Sequence, residues 1–134
     1  MLGFAVLQIN YRGSVGAGEN SITFLPKRVG TADVLDCKLA TDDVIRQFNV
    51  DAKKVCLVGG SHGGFLIAHL SGQYPDTYYA VASRNPVIDV ASMFNSSDIP
   101  DWCAVEAGFP FTEKVPPSED ELLAMRRCSP IVHA

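Results

Sequence analysis

Val55-Cys56-Leu57-Val58-Gly59-Gly60-Ser61-His62-Gly63-Gly64 reads as a strand that ends, a tight turn and a helix that begins. The first four residues form a short apolar run of β-branched character, as a buried strand requires. A Gly-x-Ser-x-Gly then leads into an apolar-periodic segment from Phe65, which is the context of a nucleophile elbow. A serine at such a turn must hold a sparsely populated backbone conformation. Glycines at 59 and 63, two residues before and two after, lack the Cβ atoms that would collide as the helix folds back; Gly60 and Gly64 complete the elbow. The turn is expected to expose the Ser61 hydroxyl at the carboxyl end of a sheet, as a candidate nucleophile. It also aims the backbone N–H of His62, at the helix N-terminus, towards a developing oxyanion. The plainer alternative is a glycine-rich turn whose serine only caps the helix.

Outward from the elbow the chain alternates. Phe4–Ile9 is a continuous apolar run, Thr31–Phe48 has helical periodicity, and Tyr79–Ser83 returns as a short strand. In the helix, Val34, Cys37, Thr41, Val44, Ile45 and Phe48 share one face. Asp33, Asp36, Asp43 and Arg46 are assigned to a solvated one. Strand, helix, strand, elbow, helix implies an α/β fold: a parallel sheet with flanking helices, with 4–9, 55–58 and 79–83 as neighbouring strands and 55–58 central. Helix resumes over Phe65–Gly72 and again over Ser118–Arg127, where Ser118, Asp120 and Glu121 mark an N-terminus. The segment from Asp89 to Phe111 reads as loop-rich. Asn10–Gly18 is a polar glycine-rich loop without the spacing of a phosphate cradle. Arg12 within it either meets a substrate carboxylate or ties the loop down, the second being simpler.

With 134 residues, 47% hydrophobic and 19% charged, the composition is that of a globular domain. A complete α/β-hydrolase sheet usually needs well over this length, so a partial domain is expected. Net charge is −4 without a basic cluster, which argues against nucleic acid or an anionic membrane surface as partner. No uninterrupted apolar stretch approaches the roughly 18 residues of a membrane span. The opening Met1–Leu7 reads better as strand than as signal peptide. Cys37, Cys56, Cys103 and Cys128 are widely spaced without C-x-x-C, so neither metal nor cofactor is expected. Cys37 on the helix and Cys56 in the strand are expected to pack as small hydrophobes. A reduced, cytoplasmic setting is the plainer reading.

A serine hydroxyl needs a base, itself oriented by an acid. His62 should point away from the hydroxyl beside it, His69 lies two helical turns along and reads as a packing residue, and His133 is close to the chain end. No triad is expected to close within these residues.

Asn10-Tyr11-Arg12-Gly13-Ser14, Gly59–Gly64, Arg84-Asn85-Pro86-Val87, Asp98-Ile99-Pro100-Asp101-Trp102-Cys103 and Ser129-Pro130-Ile131 together resemble the acylaminoacyl-peptidases of the prolyl oligopeptidase family of serine peptidases. The resemblance runs over essentially the whole chain. It implies an α/β-hydrolase catalytic domain that, in the family, is paired with a β-propeller limiting access to small peptides. It implies release of N-acylated, chiefly N-acetylated, amino acids from the N-termini of short peptides, without a cofactor, by an enzyme whose full-length form is homo-oligomeric. Ser61 matches the nucleophile and His62 supplies one oxyanion N–H. Val87 and Trp102 fall where the family lines its S1 pocket, with core packing an equal reading. The propeller, a His-Gly-Gly-Pro-like upstream segment and the catalytic Asp and His have no counterpart here. Residues 1–134 are therefore expected to be the middle of a catalytic domain, inactive alone. A non-catalytic truncated isoform or fragment, and an unrelated esterase sharing the elbow, stay open as alternatives.

Overall fold

Two parallel strands and the helix between them set the frame on which everything else packs. The computed structural model describes residues 3–112 and 116–134. Strand β1 (Cys56–Gly60) pairs in parallel with β2 (Ala80–Arg84), in a register that sets Cys56 beside Ala80 and Gly60 beside Arg84. Helix α3 (His62–Gln73) makes the crossover. Ahead of them lie a single turn α1 (Glu19–Ile22) and the long α2 (Ala32–Gln47). Behind them come α4 (Val90–Ser96), α5 (Pro100–Ala107) and α6 (Glu119–Arg127), then a closing 3₁₀ turn, Pro130–His133.

The core gathers around α3. Phe65, Leu66, Ile67 and Leu70 are buried there, and Val34 and Cys37 of α2 are buried with them. Val87, Val90, Cys103, Ala104 and Met125 join the same cluster from the elements after β2. Removing such side chains from water is the main stabilising term at about 25 cal/mol per Å² of apolar surface. Helix α6 is started by a reciprocal box: the Glu121 N–H donates to the Ser118 hydroxyl, and the Ser118 N–H donates to the Glu121 carboxylate at 2.7 Å. Across the helices after β2, Arg126 forms a salt bridge with Asp89.

The two later strands run parallel as expected, each displaced one or two residues towards its C-terminus. Other expectations fail. Phe4–Ile9 forms no strand, and Met1 and Leu2 of the opening Met1–Leu7 lie outside the described residues. Phe4 is 77% and Val6 89% exposed, and among the described residues no neighbour supplies a hydrogen-bonding ladder, without which an extended apolar run is not a strand. For the same reason β1 is not flanked on both sides. One of its faces is open, with Val58 81% exposed, and Cys56 is exposed too, not packed as a small hydrophobe. Cys37 and Cys103 are buried and Cys128 half-buried, all as free thiols.

The segment after β2 is helical where loop was expected. Its two helices are only 7 and 8 residues long, too short for periodicity to show. Their punctuation is local: the Asp89 carboxylate accepts from the N–H groups of Ala91 and Ser92, Pro100 opens α5, and Gly108 closes it at φ 94°. Helix α3 runs through Gly72, which is needed for contact and not as a stop. A Cβ there would lie 2.7 Å from that of His133. On α2, Val34, Cys37 and Thr41 are buried as expected, but Phe48 falls past the helix end and is 63% exposed. Asp33, assigned to solvent, is completely buried.

Candidate active site

Ser61 joins β1 to α3 at φ 53° and ψ −120°, a conformation that costs a non-glycine residue on the order of 1–3 kcal/mol. Both neighbours hold it there. Its N–H donates to the carbonyl of Arg84 at 3.2 Å, extending the ladder one step beyond β1, and its carbonyl accepts the first helical bond from Phe65 at 3.0 Å. The side chain is exposed.

The glycines divide the work unequally. A Cβ on Gly59 would sit 2.3 Å from the carbonyl oxygen of Gly63, and one on Gly64 would sit 2.7 Å from Cα of Pro86. The first allows the helix to fold back on the strand, and the second allows the chain leaving β2 to cross the helix start. A Cβ on Gly63 would meet nothing within 4 Å, so the expected collision at that residue is absent. What matters at Gly63 is its carbonyl, which lies against Gly59. At Gly60 the approach is ordinary van der Waals contact.

His62 is the first residue of α3, so its N–H is one of the helix's unpaired donors. Its ring lies among aromatic rings. It stacks on Tyr11 at 5.8 Å and Phe65 at 5.3 Å, and Trp102 meets it edge-on at 5.8 Å. On α2, Asp33 Oδ2 stands 3.4 Å from His62 Nε2, an ion-pair distance and long for a hydrogen bond. Neither atom has any other hydrogen-bond partner among the described residues, and neither does the buried Oε2 of Glu106. Asp33 Oδ1 accepts from the Val34 N–H at 3.0 Å. Burial, then the Asp33 charge, pushes the Tyr11 hydroxyl up to about 12. Burial also raises the Glu106 carboxyl, with the His62 charge opposing it and the Asp33 charge adding to it.

Asp33 is the residue that sequence reasoning missed. Its spacing carried a signal: 33, 37 and 41 lie one above another on a helix, and Cys37 and Thr41 were assigned to the buried face. Arg12 does tie its loop down. Its Nε donates to Asp36 Oδ2 at 2.8 Å and its Nη2 to Oδ1 at 2.6 Å, and its backbone N–H adds a third contact to the same carboxylate. These bonds hold the Asp36 carboxyl below the usual carboxylate range.

None of the three histidines is hydrogen-bonded to the Ser61 hydroxyl. The His62 ring is turned to Asp33. His69 is buried, with Nε2 3.0 Å from the Cys128 carbonyl and Nδ1 3.0 Å from the Gln73 amide nitrogen. A carbonyl only accepts, so Nε2 carries the proton and Nδ1 accepts from Gln73, whose second N–H reaches the Gly30 carbonyl at 3.2 Å. Burial lowers this imidazole to about 4, so it is a neutral packing residue, as expected. His133 stands edge-on to His69, with ring centres 5.3 Å apart. Val87 is buried in the core, and Trp102 is half-buried against it with its ring on His62. Among the described residues no cluster of three or more His, Cys, Asp or Glu is placed to hold a metal ion, and no helix is long and apolar enough to cross a membrane.

Comparison with known proteins bears on this arrangement. A profile of the prolyl oligopeptidase family matches residues 1–132. The chain is 54% identical over 130 residues, 97% of its length, to the acylamino-acid-releasing enzyme of Homo sapiens. It is 47% identical over 135 residues, 98% of its length, to the enzyme of that name from Arabidopsis thaliana. It covers 18% and 17% of those two proteins. Among solved structures, Pyrococcus horikoshii acylaminoacyl peptidase superposes with a TM-score of 0.75 at 22% identity, over 92% of this chain and 19% of that one. The fold is thus that of an α/β-hydrolase, represented here by its elbow and adjacent elements.

Proposed function

The chain belongs to the prolyl oligopeptidase family, and from that premise we propose that it is part of the catalytic domain of a serine peptidase releasing N-acylated, chiefly N-acetylated, amino acids from peptide N-termini. The observation that carries this is Ser61: a strained, exposed serine at a strand-to-helix turn, in a chain 54% identical to an acylamino-acid-releasing enzyme along 97% of its length.

In this reading the Ser61 oxygen gives up its proton to a base and attacks the carbonyl carbon of the peptide bond that follows the N-acylated residue. The carbonyl electron pair moves onto oxygen and is met by the N–H of His62. As the intermediate collapses, the C–N bond breaks, the amine leaves with the proton returned by the protonated base, and water then hydrolyses the Ser61 ester to release the N-acyl amino acid. The His62 ring faces Asp33, both nitrogens of His69 are hydrogen-bonded and His133 stands against His69, which supports a base supplied by another part of the catalytic domain. In this proposal the base comes from the rest of the catalytic domain, and the chain alone is expected to be inactive. Trp102, half-buried and in contact with His62, is the better placed of the two expected pocket residues. Val87, buried in the core, supports the site by packing. Short N-acylated peptides are the proposed partners, with no cofactor, nucleic acid or membrane. A cytoplasmic setting and homo-oligomerisation of the full-length protein complete the proposal.

The test uses a chimaera in which this chain replaces the matching 18% of the human enzyme, beside the chain alone. The chimaera is expected to hydrolyse acetyl-alanine p-nitroanilide and to lose about 10⁴-fold or more on Ser61→Ala. The chain alone should be indistinguishable from its own Ser61→Ala variant. A folded chimaera without serine-dependent hydrolysis would refute the assignment.

A further inference from the structure

A carboxylate taken wholly out of water is costly unless it is paired. Asp33 is 0% exposed, at the second position of α2, and one oxygen is already engaged by the Val34 N–H. The other faces the Nε2 of His62 at 3.4 Å, with no further partner among the described residues. A helix start thus aims a buried charge across the α2–α3 interface at the ring of the residue after Ser61. The ring has little freedom, because Tyr11, Phe65 and Trp102 enclose it and its Cα belongs to the first turn of α3.

We propose that Asp33 is a positioning residue for the elbow: its carboxylate fixes the His62 ring, and through the ring the peptide N–H that follows Ser61. The role rests on the reading of Ser61 as nucleophile, since only then does that N–H face reacting atoms. Other groups act on the same ring: Tyr11 stacks on it from the loop before α1, and Glu106 of α5 and His69 further along α3 interact with its charge. Glu106 is the competitor that matters, being the other acid whose charge acts on His62.

Trp102 is the chain's single tryptophan, and it touches the ring in question. An imidazolium beside an excited indole takes up its electron and quenches it, so Trp102 emission reports the proton on His62 in the 134-residue chain. We expect emission to fall through one step as pH is lowered, and His62→Gln to abolish that step. Asp33→Asn should displace its midpoint, because it removes the carboxylate that faces the ring at 3.4 Å. Glu106→Gln should move it less. In nitrogen-15 NMR of the unsubstituted chain, Nε2 of His62 should carry a proton at neutral pH, and the His62 backbone amide should shift with the same midpoint. The proposal is overturned by a bare Nε2, by a midpoint that Asp33→Asn leaves in place or Glu106→Gln moves more, or by a backbone amide that ignores the ring. The NMR readouts need no variant, so they decide the matter even where Asp33→Asn does not fold. Neither signal depends on hydrolysis, so failure here is distinguishable from failure of the chimaera.

Discussion

Acid should unfold this chain partly through His69. The ring is 1% exposed and committed at both nitrogens, donating to the Cys128 carbonyl and accepting from Gln73. Protonation would place a second hydrogen between Nδ1 and the Gln73 amide nitrogen, which only donates and is held in place by the Gly30 carbonyl. Burial is the main reason that the folded-state value falls to about 4, against an ordinary 6.5. The unfolded chain therefore binds this proton first. Stability from His69 is fully present above pH 6.5 and is lost as pH falls towards 4. At 1.36 kcal/mol per unit the whole effect is about 3 kcal/mol, of which about 2.5 is gone by pH 4.5. That is a large part of the stability of a domain this size. Urea unfolding at pH 7.5, 6.5, 5.5 and 4.5 reads it, with His69→Gln as reference. The variant starts less stable, and the gap between the two should close by about 2.5 kcal/mol over that range, roughly 1–2 M in urea midpoint. Carboxylates that titrate in the same window act on both proteins and cancel. A gap that stays constant with pH would refute the neutral, buried imidazole.

Two further outcomes follow from the elbow. Gly59→Ala drives a methyl to 2.3 Å from the Gly63 carbonyl, against backbone that has nowhere to go. It should cost about 2–3 kcal/mol in urea unfolding, and an unchanged midpoint would mean that the helix does not fold back so tightly. Ser61→Gly removes a side chain from φ 53° and should stabilise by about 1 kcal/mol while abolishing serine chemistry in the chimaera. If Ser61→Gly is no more stable than Ser61→Ala, the backbone there is not strained.

The elbow was legible because its cause is local. Glycines, a short apolar run and a serine state a turn without help from distant residues, and both the positive φ of Ser61 and the closeness at Gly59 follow. The parallel pairing of β1 with β2 was legible for a similar reason, since a helix between two short strands leaves little other choice. Phe4–Ile9 was not, because a strand is a property of two segments and periodicity sees one. The helices after Asp89 were hidden by shortness, although Asp89, Pro100 and Gly108 mark their ends. Asp33 shares the spacing of the buried Cys37 and Thr41, and only the general preference of acids for solvent speaks against its burial. Nothing in the sequence said that a histidine 29 positions later would come to face it.

The placement of the thiols turns the fold into a counting device. Burial pushes the Cys37 thiol up to about 12, and those of Cys103 and Cys128 to about 11. At neutral pH only about one in ten thousand of the latter two is thiolate, the form that an alkylating reagent attacks. Cys56, exposed at the start of β1, has no such shelter. A brief pulse of iodoacetamide should therefore add one mass increment to a folded molecule and up to four to an unfolded one. The mass spectrum of a mixture would then read directly as the fraction of molecules in each state.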